Sequence, residues 1–252
     1  MKCGYIRDIW EFDGSIEVEE KHTGRYGARG QKREKRKKAS PEDIKRQNQW
    51  KKERDIRRLI KWNFQKNDYW ATLTYPKGAR PSVEEIMKDI TKTIRKVRAM
   101  YKKEGRELKY IYRIGIGKRG GAHVHILINR FSTEQTGTDL ILSECWERGH
   151  VNFKTTYESG GFSQLADYIA KQLEDWEPEK LKRYHVSRNL IRKEPKEKVI
   201  RKRSLADKTG KPIYPKAPKG YYVDPDSVRI GKNPITGYYY RHYTLVKMDK
   251  RI

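Results

Sequence analysis

The sequence is short of the residues that build cross-linked scaffolds. Its 252 residues include two cysteines, Cys3 and Cys145, far apart and without metal-type spacing. A disulfide framework and a cysteine zinc finger are therefore excluded as the basis of the fold. No run of about 18 apolar residues occurs, which excludes an ordinary membrane-spanning helix. The opening MKCGYIRDIW carries charge where a secretion signal needs an apolar stretch, so a cytoplasmic protein without a membrane partner is expected. There is no internal repeat and no GxxxxGK(S/T) phosphate loop, so no helicase segment is expected. Acids are scarce as well: 33 Asp and Glu face 59 Lys and Arg, for a formal net charge of +26. That imbalance points to a polyanionic partner, nucleic acid foremost, because released counterions drive such binding. Charge alone supports an enzyme and a passive basic coat equally. The 35% hydrophobic content suffices for a folded core.

What is present divides into three expected parts: a basic N-terminal extension over 1–61, a core over 62–176, and a basic, aromatic C-terminal extension over 177–252. In the first, Asp13-Gly14 suits a tight hairpin turn. The run from Arg25 to Lys38 carries eight basic residues and one acid without apolar periodicity, so it is expected to add sequence-independent affinity for a phosphate backbone. Ser40, Pro41 and Asp43 form a helix start, with a helix expected to about residue 61. DYWATLTY, 68–75, has the aromatic and β-branched content of a strand. Ser82 and Glu85 then form a capping box before an apolar stripe at Val83, Ile86, Met87, Ile90, Ile94, Val97 and Tyr101, with Gly105 closing the helix. ELKYIYRIGIG and GAHVHILIN read as two strands joined by KRGG. A helix over about 138–148, a strand at HVNFKT and a helix over about 162–175 follow. The order strand, helix, strand, strand, helix, strand predicts an α+β fold: an antiparallel sheet with helices on one face, the ferredoxin-like arrangement.

Side chains alternate along a strand, so Ala122, Val124, Ile126 and Ile128 share one face of GAHVHILIN, and His123 and His125 stand together on the other. Two adjacent imidazoles can reach one divalent ion if their free nitrogens converge. In DYIAK, Tyr168 and Lys171 occupy neighbouring positions if the segment is helical; of the 17 tyrosines only Tyr168 has lysine at the third position after it. A tyrosine can attack a phosphodiester, and a neighbouring ammonium favours its phenolate.

Together these elements resemble the HUH endonuclease superfamily, specifically single-tyrosine rolling-circle replication initiators of bacterial plasmids and phages. ATLTY, 71–75, looks like the family's first motif, His123-Val124-His125 like its histidine motif, and Tyr168 with Lys171 like its tyrosine motif. The resemblance covers about 68–175 and extends more weakly to YHVSRNL, 184–190. It implies that His123 and His125 hold Mg²⁺ or Mn²⁺ against the scissile phosphate. Tyr168 would attack that phosphate, leaving a 5′-phosphotyrosine and a 3′-hydroxyl at an origin or hairpin in single-stranded DNA. A host polymerase would extend the 3′ end and a host helicase would open the duplex. Related initiators often supply an acidic third ligand from the preceding strand, where this chain has Gly115; Gln164, an N-terminal carboxylate or water stand as alternatives. Thr74, Lys118, Arg119 and Arg188, with the C-terminal tyrosines, are the expected DNA-binding residues. Two other readings stand beside this one: a single-tyrosine transposase using the same chemistry, and a non-catalytic basic nucleic-acid-binding protein.

Overall fold

The computed structural model describes residues 4–24, 27–28, 32–33, 35, 38, 40–156, 162–178, 181–200 and 204–248. Much of the basic run from Arg25 to Lys38 lies outside the described residues. In chain order the elements are β1 (Tyr5–Phe12), β2 (Ser15–His22), α1 (Pro41–Asn63), β3 (Tyr69–Thr74), α2 (Val83–Lys103), β4 (Tyr110–Ile116), β5 (Ala122–Ile128), α3 (Thr138–Cys145), β6 (Val151–Thr155), α4 (Ser163–Ala170), β7 (His185–Val186), β8 (Lys196–Val199), β9 (Tyr221–Val223), β10 (Arg229–Lys232) and β11 (Tyr239–Lys247). No helix among the described residues is long and apolar enough to cross a membrane. The chain forms two compact units: 1–46 with 193–252, and 47–192.

In the first unit, β1 and β2 form the hairpin expected at Asp13-Gly14, with Gly14 at φ 73°. The terminal segments, expected as separate extensions, lie in a single antiparallel sheet ordered β10-β11-β2-β1-β8, with β9 paired to β11. Apolar cover is thin, so charge is buried in pairs: Glu20, fully buried, accepts from Arg7 Nη2 at 2.6 Å and also binds Arg241. A carboxylate taken wholly out of water needs such partners to stay ionised.

The second unit has the expected βαββαβ order. The α+β class and the antiparallel sheet are as the sequence predicts, with strands ordered β6-β3-β5-β4-β7. Helix α2 starts at the Ser82–Glu85 capping box and ends where Gly105 takes φ 66° and Arg106 N donates to Tyr101 O. Its stripe of Ile86, Ile90, Ile94, Val97 and Tyr101 packs with Ile141 and Leu142 of α3 over Ala71, Leu73, Val124 and Ile126.

The helices lie on both faces of the sheet, not on one. Ile111 and Leu127 project from the face opposite that core, where Ile56, Leu59, Ile60 and Phe64 from α1 and its C-terminal end cover them with Phe162, Ala166 and Ile169 from the region of α4. Reading the strands as apolar on one side only hides this second core. Helix α4 is also shorter than the expected 162–175. It stops at Ala170, and Lys171 has extended backbone at φ −48°, ψ 139°.

Candidate active site

The site is assembled on the second face of the sheet by strand register. On β5, His125 lies opposite Thr72 of β3 and Arg113 of β4; His123 lies opposite Thr74 and Gly115. Asn152 of β6 extends the first row beyond Thr72. Alternation along β5 therefore sets the two imidazoles on one face, their ring centroids 4.7 Å apart and planes at 76°.

Each ring is held differently. His125 Nδ1 is 3.0 Å from Thr72 Oγ1, and Trp70 stacks on the imidazole at 5.3 Å and 7°. With Nδ1 engaged by the hydroxyl, Nε2 is the nitrogen left for a ligand. His123 rests on Gly115: a Cβ there would lie 2.5 Å from His123 Nε2. The position where the resemblance leads one to expect an acidic ligand is thus a cradle for the ligand imidazole, with no room for a side chain. Burial lowers the pKa of both histidines; for His125, to about 4, the neighbouring His123 and the positive charges of Arg113 and Lys154 add to the effect. Both imidazoles are consequently neutral at neutral pH and keep the lone pairs a cation requires.

Helix α4 brings Tyr168 to the same place. Its ring meets His125 edge-on at 5.1 Å and 90°, and Trp70 at 5.9 Å and 84°. With these two rings against it, Tyr168 remains 39% exposed. Burial raises its pKa; Arg113 and Lys171 oppose this, and the carboxylate of Glu177 reinforces it.

The cation that most favours the phenolate is Arg113 rather than Lys171. The guanidinium of Arg113 is 5.8 Å from the Tyr168 ring centroid. The residue is only 4% exposed; Nη1 donates to Lys171 O at 2.5 Å and more loosely to Tyr168 O and Ile169 O. A guanidinium supplied by β4 thereby takes carbonyls that α4 would otherwise use to continue, which is why the helix ends there. Lys171, expected beside Tyr168 on a helix face, instead caps the helix and turns its ammonium to Glu174.

Beyond Ile111 and Tyr112, where β7 pairs, the edge of β4 is covered by the segment following α4. Ile116 N donates to Glu177 Oε1 at 3.4 Å, and Trp176 Nε1 donates to Ile116 O at 3.0 Å. Glu177, 9% exposed, also pairs with Arg113 at 3.5 Å. Trp176 is 45% exposed, with Lys118 Nζ 5.5 Å from its ring centroid, and the Ile116 carbonyl it binds lies one residue along β4 from the Gly115 cradle.

The structure therefore brings together His123, His125, Tyr168 and Thr74, whose Oγ1 donates to His150 O. Lys118 and Arg119 are exposed in the β4–β5 turn at the histidine end of the sheet. Arg188 lies elsewhere, in a groove with Tyr110 at the other end of β4. Gln164 is exposed on α4, one turn before Tyr168. Among the described residues no group of three or more His, Cys, Asp or Glu is arranged to hold a metal. Sequence reasoning missed Trp70, Thr72, Arg113, Trp176 and Glu177. Trp70 and Thr72 alternate with the buried Ala71 and Leu73, but only the register of β3 on β5 shows what they touch.

Residues 68–173 match the family model of the replication-associated protein ORF2. The matched stretch runs from just before β3 to just beyond α4, so it contains both histidines and Tyr168. No curated protein and no solved structure matches the chain.

Proposed function

We propose that this chain is a replication initiator that nicks and rejoins single-stranded DNA through a covalent tyrosine intermediate, starting rolling-circle replication. The observation carrying this reading is the contact of Tyr168 with His125, beside His123, inside a stretch similar to replication-associated proteins. In the forward step Tyr168 Oη bonds to phosphorus as the bond from phosphorus to the 3′ oxygen breaks. The phenol proton passes to water, and the departing 3′ oxygen gains a proton as it becomes a hydroxyl. Reversal with a new 3′-hydroxyl rejoins the strand, because the phosphotyrosyl bond replaces one phosphodiester with another.

The donor set fits a divalent cation: two neutral imidazoles on one face, one oriented through its second nitrogen by Thr72 and the other seated on Gly115. His123 and His125 would hold Mg²⁺ or Mn²⁺, with water the candidate for further positions. When bound, the cation supplies positive charge to the nonbridging phosphate oxygens. Arg113 anchors the end of α4 and places Tyr168, and its charge offsets part of the cost of forming a half-buried phenolate. Trp176 and Lys118 offer a stacking face and a cation to the DNA beside the cleaved bond.

Mixing the protein with a pooled single-stranded DNA library and Mn²⁺ is expected to yield a covalent adduct at a preferred sequence. Tyr168→Phe is expected to abolish the adduct while DNA binding stays near wild type. Adduct formed by the Phe variant would assign the nucleophile to another residue. Direct Mn²⁺ titration of a His123→Ala/His125→Ala protein, expected to show lost binding, tests the cation site without relying on turnover.

A further inference from the structure

At the opposite end of β4 from the histidines lies a groove of about 770 Å³, lined by the last turns of α2, residues 106–110 and the segment following β7. Arg98, Lys102, Arg106 and Arg188 stand on it, all exposed, with Glu107 as the one acid in its lining. None of these four cations makes an ion pair or side-chain hydrogen bond with a described residue. The floor is apolar where Leu108 and Tyr110 line it, and backbone pairing holds it firm. Ser187 N donates to Tyr110 O at 2.9 Å, Tyr110 N to Ser187 Oγ at 3.1 Å, and Asn189 Nδ2 to Leu108 O at 3.1 Å.

Four like charges converging on a fixed floor repel one another, and a phosphate chain relieves that repulsion while releasing counterions. An apolar floor beneath cations matches the alternation of sugar and phosphate along a nucleic-acid strand. From the level of Tyr110 to that of Gly115 is five strand residues, or about 16 Å, roughly the length of five base pairs. We infer that this groove binds the backbone of the DNA flanking the cleaved phosphate, as a second contact separate from the nucleophile site. The inference rests on the reading of the protein as a DNA-cleaving initiator, but its test does not depend on cleavage.

The test compares the wild-type protein with an Arg98→Gln/Lys102→Gln/Arg106→Gln/Arg188→Gln variant. Binding is followed by fluorescence anisotropy on the preferred DNA and on the same DNA trimmed close to the cut. On the long DNA the variant is expected to bind at least about tenfold more weakly, with a salt dependence shallower by about 3 in the log–log slope for four lost single-strand phosphate contacts. On the trimmed DNA the two proteins are expected to bind alike, and at saturating long DNA the single-turnover rate stays at wild type. A variant carrying lysine at the three arginine positions should retain most of the affinity. Unchanged binding to the long DNA, or an equal loss on both DNAs, overturns the groove. If affinity falls as described but Tyr168 never forms an adduct, the groove stands and the cleavage reading falls.

Discussion

Replacing Gly115 with alanine adds one methyl group at the point where the imidazole of His123 is seated. That methyl would lie 2.5 Å from Nε2 and 2.9 Å from Cε1, whereas ordinary contact begins at 3.4 Å, so the ring must withdraw by 3.4 − 2.5, about 0.9 Å. The glycine has no positive φ, so the change acts by sterics alone. Overpacking of this size costs about 1–3 kcal/mol of stability. The functional loss should exceed the stability loss. A ligand shifted by about 1 Å costs on the order of 10²-fold in rate, and disturbing the support of a ligating histidine costs roughly 10–100-fold in metal affinity. Mn²⁺ titration, thermal unfolding and single-turnover adduct formation on single-stranded DNA would be measured on the same preparation. The expected pattern is a folded protein that binds DNA but takes up Mn²⁺ weakly and forms adduct slowly. Wild-type metal affinity and adduct rate in Gly115→Ala would refute the cradle, and with it the explanation for the missing acidic ligand.

Arg113→Met should destabilise the 47–192 unit by about 3–5 kcal/mol in denaturant unfolding, because it leaves Glu177 buried without its cation and α4 without its terminal donor. Glu177→Gln on that background should recover part of the loss; a still less stable double variant would show that the pair is not what holds the turn. Trp176→Ala should raise KM for single-stranded DNA by roughly 5- to 150-fold, the worth of one stacked base, with kcat little changed and Trp176→Phe intermediate. An unaltered KM would leave Trp176 as edge cover for β4 only.

Much of the second unit is legible in the sequence because its signals are local. The capping box at Ser82, the 3.6-residue stripe of α2 and the alternation around His123 and His125 each lie within a few residues of what they specify. The end of α4 is not legible, since it depends on a guanidinium delivered from β4, more than fifty residues earlier in the chain. Local spacing consequently puts Lys171 on a helix face it does not occupy. The stacking of Trp70 on His125 requires the register of β3 on β5, which no single strand encodes. Arg188 has the right chemistry for DNA, but its location becomes visible only when β7 adds to the edge of β4.

The pairing of β1 with β8 and of β2 with β11 means that the 47–192 unit is inserted between the two halves of its neighbour. During synthesis β1 and β2 emerge first, yet their flanking strands are not made until the whole inserted unit has left the ribosome. The hairpin must wait, holding an exposed edge, while the inserted unit can already close its sheet. Order of assembly is thus written into the topology: the site can form early, and the sheet that hosts the insertion finishes last.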